Sequence, residues 1–390
     1  MGPLFNSTGY SVYHNNIIRG EGCYVYDDKG KKYLDLESGV WVLPLGHCDS
    51  DVNAAIHQQI DRITHCGYKY NHKITEICAY KLLEIVNYLQ GKCVFLSSGS
   101  EAVEYGVQLA KSLRTDKKCV CLKNQYFSAY GNCKQKQEQE WRLIDWDYQE
   151  SKSVEQYYRE ITAKIDFTEI GVFVFESGNS SGLVKLPPKN LVQALNVICK
   201  ENNVIIVVDE VTSGIGRTGK WFGYMHYDLQ PHIIAVGKGL GNGYPVSGVI
   251  IDASIAKEAE KAGFHYAQSH QNDPLGCKVA YEVLMKIERE NLLEHTNEVA
   301  SYFMEKYKEL QQEFSVISEV RGVGLLLCME LSHTIPYETM LKIERDLFEQ
   351  GMVVGVNPTN RVIRTYCPLI ITTNMIDQYI DVVRSVLGNV

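Results

Sequence analysis

The segment Val204–Trp221, VIIVVDEVTSGIGRTGKW, decides how the rest of the chain is read. An unbroken apolar run, Val204–Val208, ends in Asp209 and Glu210. A run that is apolar at every position predicts a strand buried on both faces, and so a mostly parallel sheet covered by helices. Gly214, Gly216 and Gly219 then have dinucleotide-site spacing, and Gly214–Lys220 comes one residue short of a phosphate-binding P-loop. Neither motif fits. A dinucleotide loop follows its strand directly and opens a helix, whereas Glu210-Val211-Thr212-Ser213 intervene here. A P-loop lysine is followed by Ser or Thr for the metal, and Lys220 is followed by Trp221.

Working outward, similar apolar runs recur at 93–96, 119–122, 171–176, 232–238 and 248–252, with helix-length stretches such as 101–113 and 190–201 between them. Ligands of such sheets bind at the carboxyl ends of the strands. Upstream, Gly22–His47 alternates apolar and polar residues about Asp28-Lys29-Gly30, a hairpin pattern. Helical periodicity dominates from Val52 to Leu89 and from Leu275 to about Phe314. Beyond lie strand-like VRGVGLLLCMEL, a helix from about Tyr337 to Gln350, the strand MVVGV, the segment RVIRTYCPLII and a last helix. The expected division is an N-terminal segment 1–50 contributing to a small domain, a large domain 51–274, and a small α+β domain 275–390.

The 390 residues, 45% hydrophobic and 22% charged, are ordinary for a globular chain. A net charge of -8 without a dense basic run argues against nucleic acid and membrane surfaces as partners. Twelve scattered cysteines, none in a C-x-x-C pair, read as reduced thiols of a cytoplasmic protein rather than disulfides or a metal site. The start lacks a signal-peptide pattern, Asn6 breaks a myristoylation motif, and no apolar run reaches membrane-span length.

Two strand ends carry opposite charges. Asp209 ends one run, and Lys238 ends HIIAVGK before Gly239, Gly241 and Gly243. Two readings stand: a buried ion pair, or a ligand that needs an amine nucleophile and an anion together. Pyridoxal phosphate is such a ligand, since a lysine forms its Schiff base and an acid keeps its ring nitrogen protonated. A third strand end, Ser98-Gly99-Ser100 before a helix, reads either as an ordinary cap or as a phosphate site.

Three long motifs in order carry a resemblance. GCYVYDDKGKKYLDLESGVWVLPLGH, SSGSEAVEYGVQLAK and VVDEVTSGIGRTGKWFGYMHYDLQPHIIAVGKGLGNGYPVSGVI resemble the class III aminotransferases, the acetylornithine, ornithine and 4-aminobutyrate aminotransferase group. The likeness spans nearly the whole chain. It implies the fold type I pyridoxal-phosphate transferase fold, an α/β large domain with a mostly parallel seven-stranded sheet plus a smaller α+β domain. It implies an aminotransferase moving an amino group from an amino acid or related amine to a 2-oxo acid, within a homodimer. Residue by residue, it makes Lys238 the Schiff-base lysine and proton shuttle, and Asp209 the partner of the pyridine nitrogen. Ser98, Gly99 and Ser100 become the phosphate cradle, and Tyr126 and Val211 the two faces about the ring. Thr212 lies near the phenolic oxygen, Glu176 behind the ring, and Ser269 reaches the neighbouring subunit's phosphate. Arg364 holds the substrate carboxylate, and Trp41 walls the pocket. For Tyr126 a core tyrosine, and for Arg364 a surface strand position, are the plain alternatives.

The chain also departs from that pattern. Ala129 replaces an arginine that grips distal groups, Ser181 stands where a glutamate shields the carboxylate-binding arginine, Thr212 replaces a glutamine, and Phe127-Ser128 replaces His-Gly. Arg364 is therefore expected to stay unshielded, with α-amino and 2-oxo acids as substrates and no recognition of an ω-carboxylate. The altered pocket leaves a racemase or epimerase, a lyase or a decarboxylase on the same scaffold as the alternative. A non-catalytic scaffold protein would need neither Lys238 nor Asp209.

Overall fold

The computed structural model describes residues 5, 7–8, 16–178 and 182–390. Asn6 and the Asn179-Ser180-Ser181 stretch lie outside the described residues. The chain opens with β1 (Ile17–Glu21), β2 (Tyr24–Asp27) and β3 (Lys32–Asp35), antiparallel neighbours. Asp27 Oδ1 accepts from the N–H groups of Lys29 and Lys31, and Gly30 supplies the positive φ of 80° that closes the β2–β3 turn.

Seven strands follow: β4 (Lys92–Leu96), β5 (Lys118–Leu122), β6 (Trp141–Ile144), β7 (Ile170–Glu176), β8 (Ile205–Asp209), β9 (Ile233–Val236) and β10 (Ser247–Ile251). They form one sheet in the order β4-β10-β9-β8-β7-β5-β6. Only β10 runs against its neighbours, so the sheet is mostly parallel, as in fold type I. Every residue of β7, β8, β9 and β10 is buried, because helices cover both faces. Edge strand β6, WRLI, escapes a search for apolar runs. Its middle residues, half-buried Arg142 and exposed Leu143, break the apolar run between buried Trp141 and Ile144.

The remaining strands are β11 (Ile317–Val323), β12 (Leu326–Leu331), β13 (Met352–Val353), β14 (Gly355–Asn357) and β15 (Val362–Thr365). Here the structure corrects the segmentation read from sequence. VRGVGLLLCMEL is not one strand but two antiparallel strands, turning at Gly324 with φ 55°. MVVGV also divides: β13 pairs with β3, whereas β14 pairs with β15 in the sheet β11-β12-β15-β14. The long helical stretch is two helices, Pro274–Arg289 and Leu292–Glu313, separated at Asn291 by a left-handed φ of 53°. The stretch from Val52 to Leu89 likewise divides into helices Ser50–Ile60 and Lys73–Ile85. In each case apolar periodicity continued through a break that backbone conformation made. No described helix is long and apolar enough to cross a membrane.

Candidate active site

The carboxyl edge of the central sheet gathers the chemistry. β7 and β8 are in register there, with Glu176 beside Asp209, and β9 lies next to β8 and delivers Lys238 two residues past its end. β4 runs parallel to β9 across β10 and delivers Ser98–Ser100 to the same edge.

Lys238 holds a left-handed φ of 39° and directs its amine to Thr212, Nζ donating to Oγ1 at 2.8 Å. Burial pushes its pKa down, against the pull of the Asp209 and Glu176 charges, so its proton is held less tightly than on a free lysine. Asp209 takes the opposite shift. Burial and then the negative charge of Glu176 raise its pKa well above the ordinary carboxyl range, and its Oδ1 accepts the Val211 N–H at 2.9 Å. Asp209 and Lys238 do not form an ion pair; each is held by a different neighbour, which removes the simplest reading of their opposite charges.

Around them stand the other residues singled out from sequence. Glu176 is buried, and its Oε2 accepts the Tyr126 N–H at 3.1 Å. The Tyr126 side chain is 46% exposed, so it is not a core tyrosine. The helix Gly99–Leu113 begins beyond β4 with Ser98 as its cap, its Oγ accepting the Glu101 N–H at 3.2 Å. Ser100 Oγ accepts the Ala129 N–H at 3.0 Å, tying the Tyr126 loop to that helix start. Arg364, in the middle of β15, is buried, so the surface reading does not hold. Trp41 lies between the charges, its ring 5.1 Å from Lys238 Nζ and 5.1 Å from the Arg364 guanidinium. Ser269 stands apart, exposed on the loop before Asp273. That loop leans on its own chain's helix start, Tyr266 donating to Glu101 Oε1 at 2.9 Å.

Two findings escaped sequence reading. Arg364 is shielded, contrary to the expectation above: Glu37 Oε1 sits 3.3 Å from its Nε. These residues are 327 positions apart and meet only because β3 and β15 converge, so no local motif could pair them. The available signal was an acid interrupting the apolar pattern of YLDLESGVW. The second finding is the turn that carries Glu37 and Trp41. Ser38, Gly39, Val40 and Trp41 all have positive φ (45°, 59°, 68° and 70°), one turn of left-handed helix. Trp41 N–H donates to Glu37 O at 2.7 Å, so both side chains leave from one turn. Such a turn costs about 1–2 kcal/mol per non-glycine residue, and tertiary bonds hold it. Ser38 Oγ donates to Tyr366 O at 2.5 Å, Gly39 N–H to Asp35 Oδ2 at 2.9 Å, and Arg217 Nη2 to Ser38 Oγ at 3.3 Å.

The residues fit the cofactor that the resemblance implies. Gly99 and Gly237 form a side-chain-free cradle: a Cβ on Gly99 would stand 2.5 Å from Val211 Cγ1, and one on Gly237 3.1 Å from Gly99 Cα. The start of a fifteen-residue helix offers N–H groups and the positive end of its dipole to a phosphate. An amine whose pKa burial lowers suits Schiff-base formation. A cationic ring nitrogen beside Asp209 would return that acid to its charged form.

A family model described as Aminotransferase class-III matches residues 5–133 and 121–387. The acetylornithine aminotransferase of Aquifex aeolicus (strain VF5) is 32% identical over 383 residues, 95% of this chain and 96% of that one. The acetylornithine aminotransferase of Caldanaerobacter subterraneus subsp. tengcongensis is 30% identical over 395 residues, 98% of this chain and 96% of the relative. In fold, an amine transaminase from an uncultivated Pseudomonas species, solved in a PLP-bound form, superposes with a TM-score of 0.90 at 22% identity, covering 100% of this chain and 99% of that one.

Proposed function

The chain belongs to the class III aminotransferase family and is a pyridoxal-phosphate-dependent transaminase, and from that premise we propose which residues act and on what. Bound pyridoxal phosphate supplies an electron sink for the charge that develops at the substrate Cα. With the cofactor bound, Lys238 would be its attachment amine and the general acid and base that moves a proton to and from the substrate Cα. The Thr212 hydroxyl steers its Nζ, the contact at 2.8 Å supporting that role. Asp209 would hold the cofactor's ring nitrogen in its protonated form, with neighbouring Glu176 fixing the Tyr126 backbone. Tyr126 covers one face of the ring and Val211 the other. Ser98, Gly99 and Ser100 hold the phosphate, joined by Ser269 from the second subunit of a homodimer. Twelve free cysteines favour a reducing, cytoplasmic setting.

Arg364 binds the substrate carboxylate. It is buried on a strand, and a guanidinium matches a carboxylate in two parallel bonds. Trp41 closes the pocket between Lys238 and Arg364, so the side chain of the substrate meets an aromatic wall. With Ala129 at the position of the distal arginine, the acceptor is a 2-oxo acid and the donor an α-amino acid or a related amine.

The observation that carries this reading is the Lys238 amine, its pKa pushed down by burial, bonded to Thr212 beside an Asp209 it does not pair with. Purified protein reconstituted with the cofactor is expected to absorb near the visible edge, and Lys238→Ala to lose that band while retaining the fold by circular dichroism. A donor and acceptor panel then names the substrates. Turnover that needs no keto-acid acceptor would assign the racemase chemistry instead.

A further inference from the structure

Arg364 contacts one carboxylate and lies within electrostatic reach of a second, on different elements. Glu37, in the turn after β3, pairs with it at 3.3 Å, and the side chains are only 8% and 19% exposed for Arg364 and Glu37. Glu344, on the helix Tyr337–Glu349, lies within the electrostatic reach of both Glu37 and Arg364. That helix packs on β14, whose Gly355 faces Arg364 in the β14–β15 register. A Cβ on Gly355 would stand 1.9 Å from Glu37 Oε1 and 2.4 Å from Arg364 Nε, so the pair lies directly against bare backbone. Among the described residues, the other titratable groups about Glu37 are Asp35 on β3, Tyr366 just after β15, and His47, whose Nε2 is 2.7 Å from Asp35 Oδ2.

A substrate carboxylate arriving at Arg364 is then a third anion at one cation, in a site largely shut off from water. Three such charges cannot share one guanidinium without a large desolvation penalty. Glu37 also has somewhere to go. A cavity of about 330 Å³ is lined by Glu37, Asp35, His47, Gly39 and Phe348, and Arg364 is not part of its wall. Swung there, Glu37 lies beside Asp35, which favours its protonated form.

Resting on the reading of Arg364 as the carboxylate-binding residue, we propose that the Glu37–Arg364–Glu344 cluster couples the binding of each substrate carboxylate to uptake of one proton by the glutamates. Burial already raises the Glu37 carboxyl against the pull of Arg364. Burial and the Glu37 charge push Glu344 up to about 7, so the needed proton is available near neutral pH.

Propionate is a suitable probe because it carries the carboxylate and no reactive amine or ketone, with propionamide as its neutral control. Titration calorimetry of the holoenzyme in two buffers of different ionisation heat counts the protons. The expected result is close to one proton taken up per propionate, none per propionamide, and affinity weakening up to about tenfold per pH unit on the alkaline side. Glu37→Gln should abolish most of the uptake and flatten that pH profile. Glu344→Gln tests the second acid, and residual uptake in Glu37→Gln should vanish in the double variant. Propionate binding that is pH-flat and takes up no proton overturns the coupling but leaves the carboxylate role of Arg364 intact. Propionate binding that survives Arg364→Ala unchanged overturns that role and the coupling with it.

Discussion

Glu210 follows Asp209 directly, yet the two acids have opposite surroundings. Asp209 receives the Val211 N–H and is otherwise buried beside Glu176. Glu210 is filled with donors: Tyr224 N–H and Ser177 on Oε1, Gly223 N–H and Ser213 on Oε2. It anchors the loop after β8, while Asp209 remains available to a ligand. Each Glu210 oxygen meets a backbone N–H, so an amide here must turn its NH₂ against a donor whichever way it flips. Glu210→Gln is therefore expected to cost about 1–3 kcal/mol of stability, measured by urea unfolding. It should leave the cofactor band of the folded fraction in place, because Glu210 does not touch the Lys238 side chain.

The left-handed turn Ser38–Trp41 is the element on which the proposed substrate recognition depends. It presents Glu37 to Arg364 and Trp41 to both Lys238 and Arg364. The glycine-rich motif of the sequence is what holds it. Arg217 of GIGRTG is buried and donates to Ser38 Oγ and to the Cys367 carbonyl, so this loop buttresses the turn that carries Glu37 and Trp41. Val40 is the strained member, a β-branched residue at φ 68° with its side chain 61% exposed. Glycine there loses little packing and removes the Cβ clash. Val40→Gly should leave the melting temperature unchanged or raise it by the equivalent of about 1 kcal/mol. A comparable Val→Gly change in β8 would lose buried contacts and lower it.

At the scale of the whole molecule, the expected site is completed by a second copy of the chain. Ser269 is exposed and makes no hydrogen bond to Ser98, Gly99 or Ser100 of its own chain among the described residues, and Tyr126 also faces outward. Subunit hybrids test the arrangement. Lys238→Ala and Ser269→Trp are each expected to be inactive as homodimers. In a mixed dimer of a shared-site enzyme, one site carries both lesions and the other neither, so refolded mixtures should recover part of the wild-type rate. Mixtures that stay inactive would place Ser269 outside the neighbour's site.

Residue patterns along the chain were enough to read the strand ends. Runs apolar at every position imply burial on both faces, and a charge ending such a run must be held or used, which singled out Asp209 and Lys238. The hairpin about Gly30 and the helix after Ser98 follow from local turn and capping chemistry. Patterning also failed where its physical basis was weak. It passed over edge strand β6, ran two helices together across Asn291, and merged β11 with β12. Only tertiary structure decided the surroundings of Arg364. Its contact with Glu37 joins segments from opposite ends of the chain, and the turn that delivers Glu37 is unfavourable on its own. Local sequence encodes what neighbouring residues prefer. A strained turn and a long-range ion pair exist only because the rest of the fold holds them in place.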